Sequence, residues 1–493
     1  MHFVVPEGTT SIAGNSSWGE WGVDKTKVTS VEVPASVTSI GDRAFSGCSS
    51  LVRVGIPTSV TWIGEAAFYE CTSLHTVAIP ASVSCICGSA FEGCSSLATV
   101  EIPTSVTHIG NFAFEGCRAL ASVVVPASVT SIGRHAFFGC SSLATVAIPT
   151  SVTSISASTF HGCSSLLAVD LPASIIRISY GAFWGCSALA RVAIPASVTR
   201  IGEDAFHGCS ALATIAIPSS VTNISYGTFW GCTSLASVAI PASVAEIGEE
   251  AFHGCNALAI VAIPRSITKI SCNAFWGCTS LTSVAIPASV TTIVMNAFAG
   301  CTALASVEIP ASVATLGGTF VHGGSFHGAF NGCTALVVLM VQPGDARLNP
   351  NAADAAAATA AAGDDACAVV NAFNDQNQFP AVTRIWATDD VVAGLNGRFG
   401  AYTRIRDVPR ALRAAPDAKT WAGVQRWLWW LPPTSFSGAG GGRVVCKSRQ
   451  RTIWVTMLCG HREAMLDNLP RLPEELWLYV FTFVKHDQQP TLL

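Results

Sequence analysis

Histidine and tryptophan alternate at one position of this chain, spaced 23 residues apart: His161, Trp184, His207, Trp230, His253 and Trp276. Histidine can ligate a metal or move a proton, and tryptophan supplies a large ring that anchors interfaces. The spacing decides among these. If each 23-residue step is one turn of a stacked β-structure, alternate histidines lie ~9.6 Å apart. A single zinc with bonds of ~2.1 Å needs its ligands within about 4 Å of one another, so these histidines cannot share one. What the column can form is an exposed aromatic strip that engages a partner or a sugar ring. The alternation also has a second reading. Ile-Gly-Glu-Asp/Glu-Ala-Phe-His at 201–207 and 247–253 alternates with Ile-Ser-Tyr-Gly-Ala/Thr-Phe-Trp at 178–184 and 224–230, as a copied 46-residue unit would.

The other reactive side chains point away from catalysis. Thirteen of the 19 cysteines share one column, running from Cys48 in steps of 23 to Cys301 and then Cys333. One cysteine per turn in a fixed slot reads as a small buried hydrophobe. Strand spacing would permit a disulfide by distance, but parallel side-chain vectors oppose it. Buried free thiols favour a reducing compartment, which predicts a cytoplasmic protein, or an extracellular or surface one if an upstream signal is missing from this sequence. Cys85 and Cys87 have no second pair with which to build a zinc site. His322 and His327 sit in a glycine-rich insertion without acidic or cysteine partners. Gly438–Gly442 lacks the Gly-Lys-Ser/Thr ending of a phosphate loop. No nucleophile, base and orienting group recur together. The expectation is a non-enzyme with no catalytic residue, cofactor or metal. Asn15 and Asn223 begin glycosylation sequons, which matter only on a secreted chain.

The element that positions these columns is a 23-residue phrase. Prolines at 34, 57, 80 and onward to 310 keep that step unbroken. In one copy, Leu51-x-x-Val54-x-Ile56-Pro57 reads as a short strand with Val54 and Ile56 pointing inward, and the proline ends its ladder. Val60-Thr-x-Ile63-Gly64 reads as a second strand on another face, ended by a permissive glycine. Phe68 plugs the turn between them, and a Gly-Cys step usually follows. One such turn cannot bury its own apolar face, so the fold comes from stacking. The predicted class is a leucine-rich-repeat β-solenoid with a small, mainly α-helical C-terminal domain. Its parts are a degenerate capping repeat at 1–33, a solenoid at 34–341 (13 turns, an insertion in the last), an Ala-rich linker at 342–380 and a helical domain at 381–493. Phe3 and Val5 match the Val54 and Ile56 columns, as if the chain began inside an array.

The phrase Leu-x-x-Val-x-Ile-Pro-x-Ser-Val-Thr-x-Ile-Gly-x-x-Ala-Phe-x-Gly-Cys-x-x-Leu, over about residues 28–341, resembles the BspA-like (Treponema-type) leucine-rich-repeat family. The resemblance implies a binding protein, in many members at a microbial surface, with no common catalytic residue.

Composition narrows the partner. Only 12% of residues are charged and the net charge is −4, which gives no electrostatic case for nucleic acid or an anionic membrane. No apolar run approaches the ~20 residues of a membrane helix. The outward strand positions are small and neutral, as in Thr76, Thr99, Ala147 and Ala193.

Beyond Val341 the period stops. Helices are predicted near 408–430 and 449–466, and from Pro473. Leu472, Pro473, Leu476 and Phe483 resemble the start of an F-box, and with the preceding helix the segment is also similar to a SOCS box. Either resemblance implies docking on a ubiquitin-ligase adaptor. The chain is thus expected to be a protein-interaction scaffold, with a cullin-ligase substrate receptor and a cell-surface adhesin as the other readings.

Overall fold

The computed structural model describes residues 1–310, 312–313, 315–317, 328–336, 338–341, 384–387 and 402–404. The chain divides into two compact units. The first, Met1–Ile385 with Gly394–Gly400, holds the solenoid. Of the second, Trp386–Ala393 with Ala401–Leu493, the described residues belong to the strands Arg384–Ala387 and Tyr402–Arg404. The 342–380 linker, the expected helices and the adaptor residues Leu472, Pro473, Leu476 and Phe483 lie outside the described residues.

Each solenoid turn carries two short strands. The longer, such as Arg53–Gly55, buries its central valine and exposes its flanks, the period-two pattern expected of Val54. Its neighbours pair in parallel with Val31 opposite Val54, and Val77 opposite Val100. The shorter, such as Trp62–Ile63, buries its isoleucine, and Ile40 stands opposite Ile63. Register therefore steps by one repeat along both faces.

The third side of the turn is held by side chains as well as backbone. Thirteen phenylalanines, Phe45 to Phe330, form a continuous buried stack with ring centroids 5.0–5.7 Å apart. The column cysteines are free and buried beside them. Each thiol from Cys71 onward donates to the carbonyl of the preceding turn's phenylalanine, as Cys140 Sγ does to Phe114 O at 3.2 Å. Burial raises the Cys140 thiol well above its ordinary pKa, so these sulfurs behave as packing groups. The backbone adds three bonds per turn on this side. Arg43, Phe45 and Gly47 donate their N–H groups to Glu65, Ala67 and Tyr69 carbonyls of the next turn at 2.7–2.9 Å.

The structure corrects the role given to the glycine after the short strand. Gly64 has no positive φ; a Cβ there would lie 2.4 Å from Asp42 Oδ1 and 2.6 Å from its backbone nitrogen. It is present because adjacent turns approach closely. The left-handed residue comes two positions later, with φ of 53–61° in ten turns from Arg43 to Asn296, and Gly181 and Gly227 stand there in two others.

The N-terminal residues keep the register expected of a degenerate turn, with Phe3 opposite Val31 and Ile12 opposite Ile40. The extra residues form a short helix, Gly14–Glu20, and a 3-10 turn, Lys25–Lys27. Trp18 is 4% exposed and covers the end of the phenylalanine stack, edge-on to Phe45 at 5.8 Å. Its indole Nε1 donates to Ala44 O at 2.6 Å, and Lys25 Nζ donates to Ser46 O at 2.5 Å. Those two carbonyls are the ones that accept from a preceding turn elsewhere in the array.

Candidate functional site

The histidine and tryptophan column is one stack of rings. It begins at Phe138, 4.5 Å from His161. His161–Trp184, Trp184–His207, His207–Trp230 and Trp230–His253 then follow at 5.0, 4.5, 4.8 and 4.6 Å, with interplanar angles of 18–27°. His253–Trp276 closes the series at 4.7 Å and 44°. The strip is less exposed than the sequence suggests. Each ring covers its neighbours' faces, so the five from His161 to His253 are half-buried and present edges to solvent. Only Trp276, with Ala299 after it, is exposed, at 41%.

The alternation has a steric basis beyond copying. Beneath Trp184 and Trp230 the left-handed position is Gly181 and Gly227, where a Cβ would lie 3.6 and 3.8 Å from the tryptophan Cε3. Beneath the histidines the same position carries Ser158, Asp204 and Glu250. Asp204 is buried at 6% exposure, and its Oδ1 lies 3.1 Å from His207 Nδ1. That oxygen also fills the space above Gly227, 2.2 Å from where a Cβ would sit. Beneath Trp276 the glycine is replaced by Asn273, and this last ring tilts away from the stack.

Glu250, one methylene longer than Asp204, is held elsewhere: Tyr226 Oη and Asn273 Nδ2 donate to it at 2.7 and 3.0 Å. His253 Nδ1 is left buried without a partner. Burial lowers the pKa of His161 and of His253, reinforced by His135 and His207 at the first and by His207, against Glu250, at the second. The hydrogen bond to Glu250 pushes the Tyr226 phenol up to about 12, with burial adding to it.

A flanking column escaped the sequence reading. Two residues past the isoleucine of each short strand come Tyr180, Glu203, Tyr226 and Glu249 in successive turns. Tyr180 and Tyr226 are 46% and 39% exposed, and both glutamates are exposed. The Tyr180 ring stands edge-on to Trp184 at 6.3 Å. The only signal in the sequence was the tyrosine–acid alternation inside the 46-residue unit. Among the described residues no group of three histidine, cysteine or acidic side chains converges to hold a metal, and no helix is long and apolar enough to cross a membrane.

A family model for the BspA type leucine rich repeat region matches residues 23–144, 107–236 and 223–334. Among solved structures, a leucine-rich repeat protein from Bacteroides ovatus is 30% identical, covering 57% of this chain and 87% of its own, with a TM-score of 0.44. A leucine rich cell surface protein from Faecalibacterium prausnitzii is 29% identical over 71% of this chain and 89% of its own, at 0.40. The leucine-rich repeat protein of T. pallidum is 32% identical over 37% and 78%, at 0.30. No curated protein matches the chain.

Proposed function

The chain belongs to the BspA-type leucine-rich-repeat family, and from that premise we infer that it acts as a non-catalytic scaffold whose ring-bearing face binds a protein partner. The observation that carries this reading is the continuous stack from Phe138 to Trp276 with exposed tyrosines beside it. Aromatic side chains set on rigid backbone lose little entropy on binding and make good anchors. The outward positions of the longer strands carry mostly threonine, serine and alanine.

The test is affinity capture with the full chain, a version ending at Val341, and the full chain carrying Trp184→Ala and Trp230→Ala, with folding checked by circular dichroism. A partner held by the first two and lost from the third supports the reading. A partner held equally by all three sinks it. Recovery of cullin or adaptor subunits by the full chain alone would move the function to the segment containing Leu472, Pro473, Leu476 and Phe483. Labelling of intact cells with an impermeant reagent decides between a cytoplasmic scaffold and a surface adhesin.

A further inference from the structure

The flanking column specifies what kind of partner the ring-bearing face accepts. Tyr180, Glu203, Tyr226 and Glu249 place a carboxylate on every second turn and an exposed phenol on the turns between. Neither the Glu203 nor the Glu249 carboxylate has a hydrogen-bond or ion-pair partner, whereas those of the inner acids Asp204 and Glu250 are both engaged. Between residues 157 and 276 the three columns of this face hold four carboxylates and no lysine or arginine. Arg177, Arg200 and Lys269 lie on the adjoining short-strand face and form no ion pair with these acids. The outer acids are therefore solvated charges on rigid backbone, free to be matched from outside.

The period of this pattern is as informative as its charge. Trp184, His207 and Trp230 are spaced 4.5 and 4.8 Å apart, so two turns span about 9.3 Å. A polyproline II helix has three residues per turn and rises ~3.1 Å per residue, so side chains three apart point the same way at ~9.3 Å. A β-strand has period two and puts residues i and i+3 on opposite sides. We propose that this face docks a cationic polyproline II segment with arginine at every third position. One guanidinium pairs with Glu203 and the next with Glu249, while the intervening proline rings lie over Tyr226. Arginine suits the site because its planar fork meets a carboxylate in bidentate fashion and stacks on phenol rings. Aromatic-lined surfaces elsewhere recognise polyproline II segments because little entropy remains for the ligand to lose.

This proposal rests on the binding reading above but fails separately from it. The probe is a synthetic peptide, acetyl-(Arg-Pro-Pro)3-amide, titrated into the full chain by calorimetry. The comparison peptide, acetyl-(Arg-Pro-Pro-Pro)3-amide, has the same charge with the period broken. The expected results are saturable binding of the first that weakens with added salt, at least tenfold weaker binding of the second, and at least tenfold loss in Glu203→Gln/Glu249→Gln. Both substitutions are at exposed, unpartnered positions and leave the fold intact. Equal affinity for the two peptides, or unchanged affinity in the double variant, overturns the proposal. So does absence of binding at millimolar peptide. If capture of a native partner still depends on Trp184 and Trp230 in that case, the scaffold reading stands and only the identity of the ligand falls.

Discussion

Replacing Gly227 by alanine should cost much more than the same change at Gly181, although both glycines share a left-handed φ of 54–55°. The conformation alone costs about 1–2 kcal/mol with a side chain present. At Gly181 little is added, since the new Cβ meets Ser158 Oγ at 3.3 Å and Trp184 Cε3 at 3.6 Å. At Gly227 it would stand 2.2 Å from Asp204 Oδ1, which must move. Asp204 is buried and shares that oxygen with His207 Nδ1, so moving it gives up a hydrogen bond to a charged group, about 1.5–3 kcal/mol. The expected losses are about 2.5–5 kcal/mol for Gly227→Ala and about 1–2 kcal/mol for Gly181→Ala. Long repeat arrays need not unfold in one step, so urea midpoints should be read with hydrogen exchange at the Asp204 and Phe206 amides, which bond to Tyr226 and Thr228 carbonyls. Adding Asp204→Ser, the residue type found at Ser158, should remove the excess in Gly227→Ala. Equal losses for the two single variants, or no rescue, would refute the steric account of the alternation.

Trp18→Phe keeps a ring at the end of the phenylalanine stack but strands the buried Ala44 carbonyl. It should destabilise the first turns by about 1–3 kcal/mol, visible as faster amide exchange near Phe45 than near Phe183. Burial holds His161 and His253 below the usual imidazole pKa, so the unfolded chain takes up protons first. Stability should be full above about pH 6.5 and fall below it, less steeply in His161→Gln/His253→Gln. A urea midpoint that rises on acidification would mean that attraction between imidazolium and tryptophan faces outweighs desolvation. Among the described cysteines, alkylation of the native protein should reach the partly exposed Cys85, Cys87 and Cys272 before any column thiol, as peptide mass spectrometry would show. Cys87, raised to about 12 by burial and by Cys85, should need the more alkaline medium.

The solenoid was legible because its rule is periodic. Val54, Ile63, Phe68 and Cys71 recur every 23 residues, and each stands in the buried column its type predicts. What stayed hidden depends on atoms with no signature of their own. Trp18 and Lys25 cap backbone carbonyls 26 and 21 residues away, and any residue type could have offered those oxygens. The ring column could be read as a stacked strip but its half-burial could not, because neighbouring rings cover one another's faces. Asp204 and Gly227 showed in the sequence only as a duplicated unit, since their fit is between turns. Glu203 was passed over because its column holds tyrosine, acid, cysteine and methionine in turn, so no single type marks it.

The three backbone bonds per turn beside the phenylalanine stack run one way, from N–H groups of one turn to carbonyls of the next. Their peptide dipoles add along the axis, as they do in a helix. This side of the array is therefore electrically polar, with its negative pole at the N-terminal end, where the Lys25 ammonium and the Trp18 indole N–H meet it. Any cut between turns would expose the same kind of pole, because the same carbonyls recur every 23 residues. Residues 14–27 are in this sense a portable terminus: grafted before a later turn in the same register, they should close a shorter array as well as they close this one.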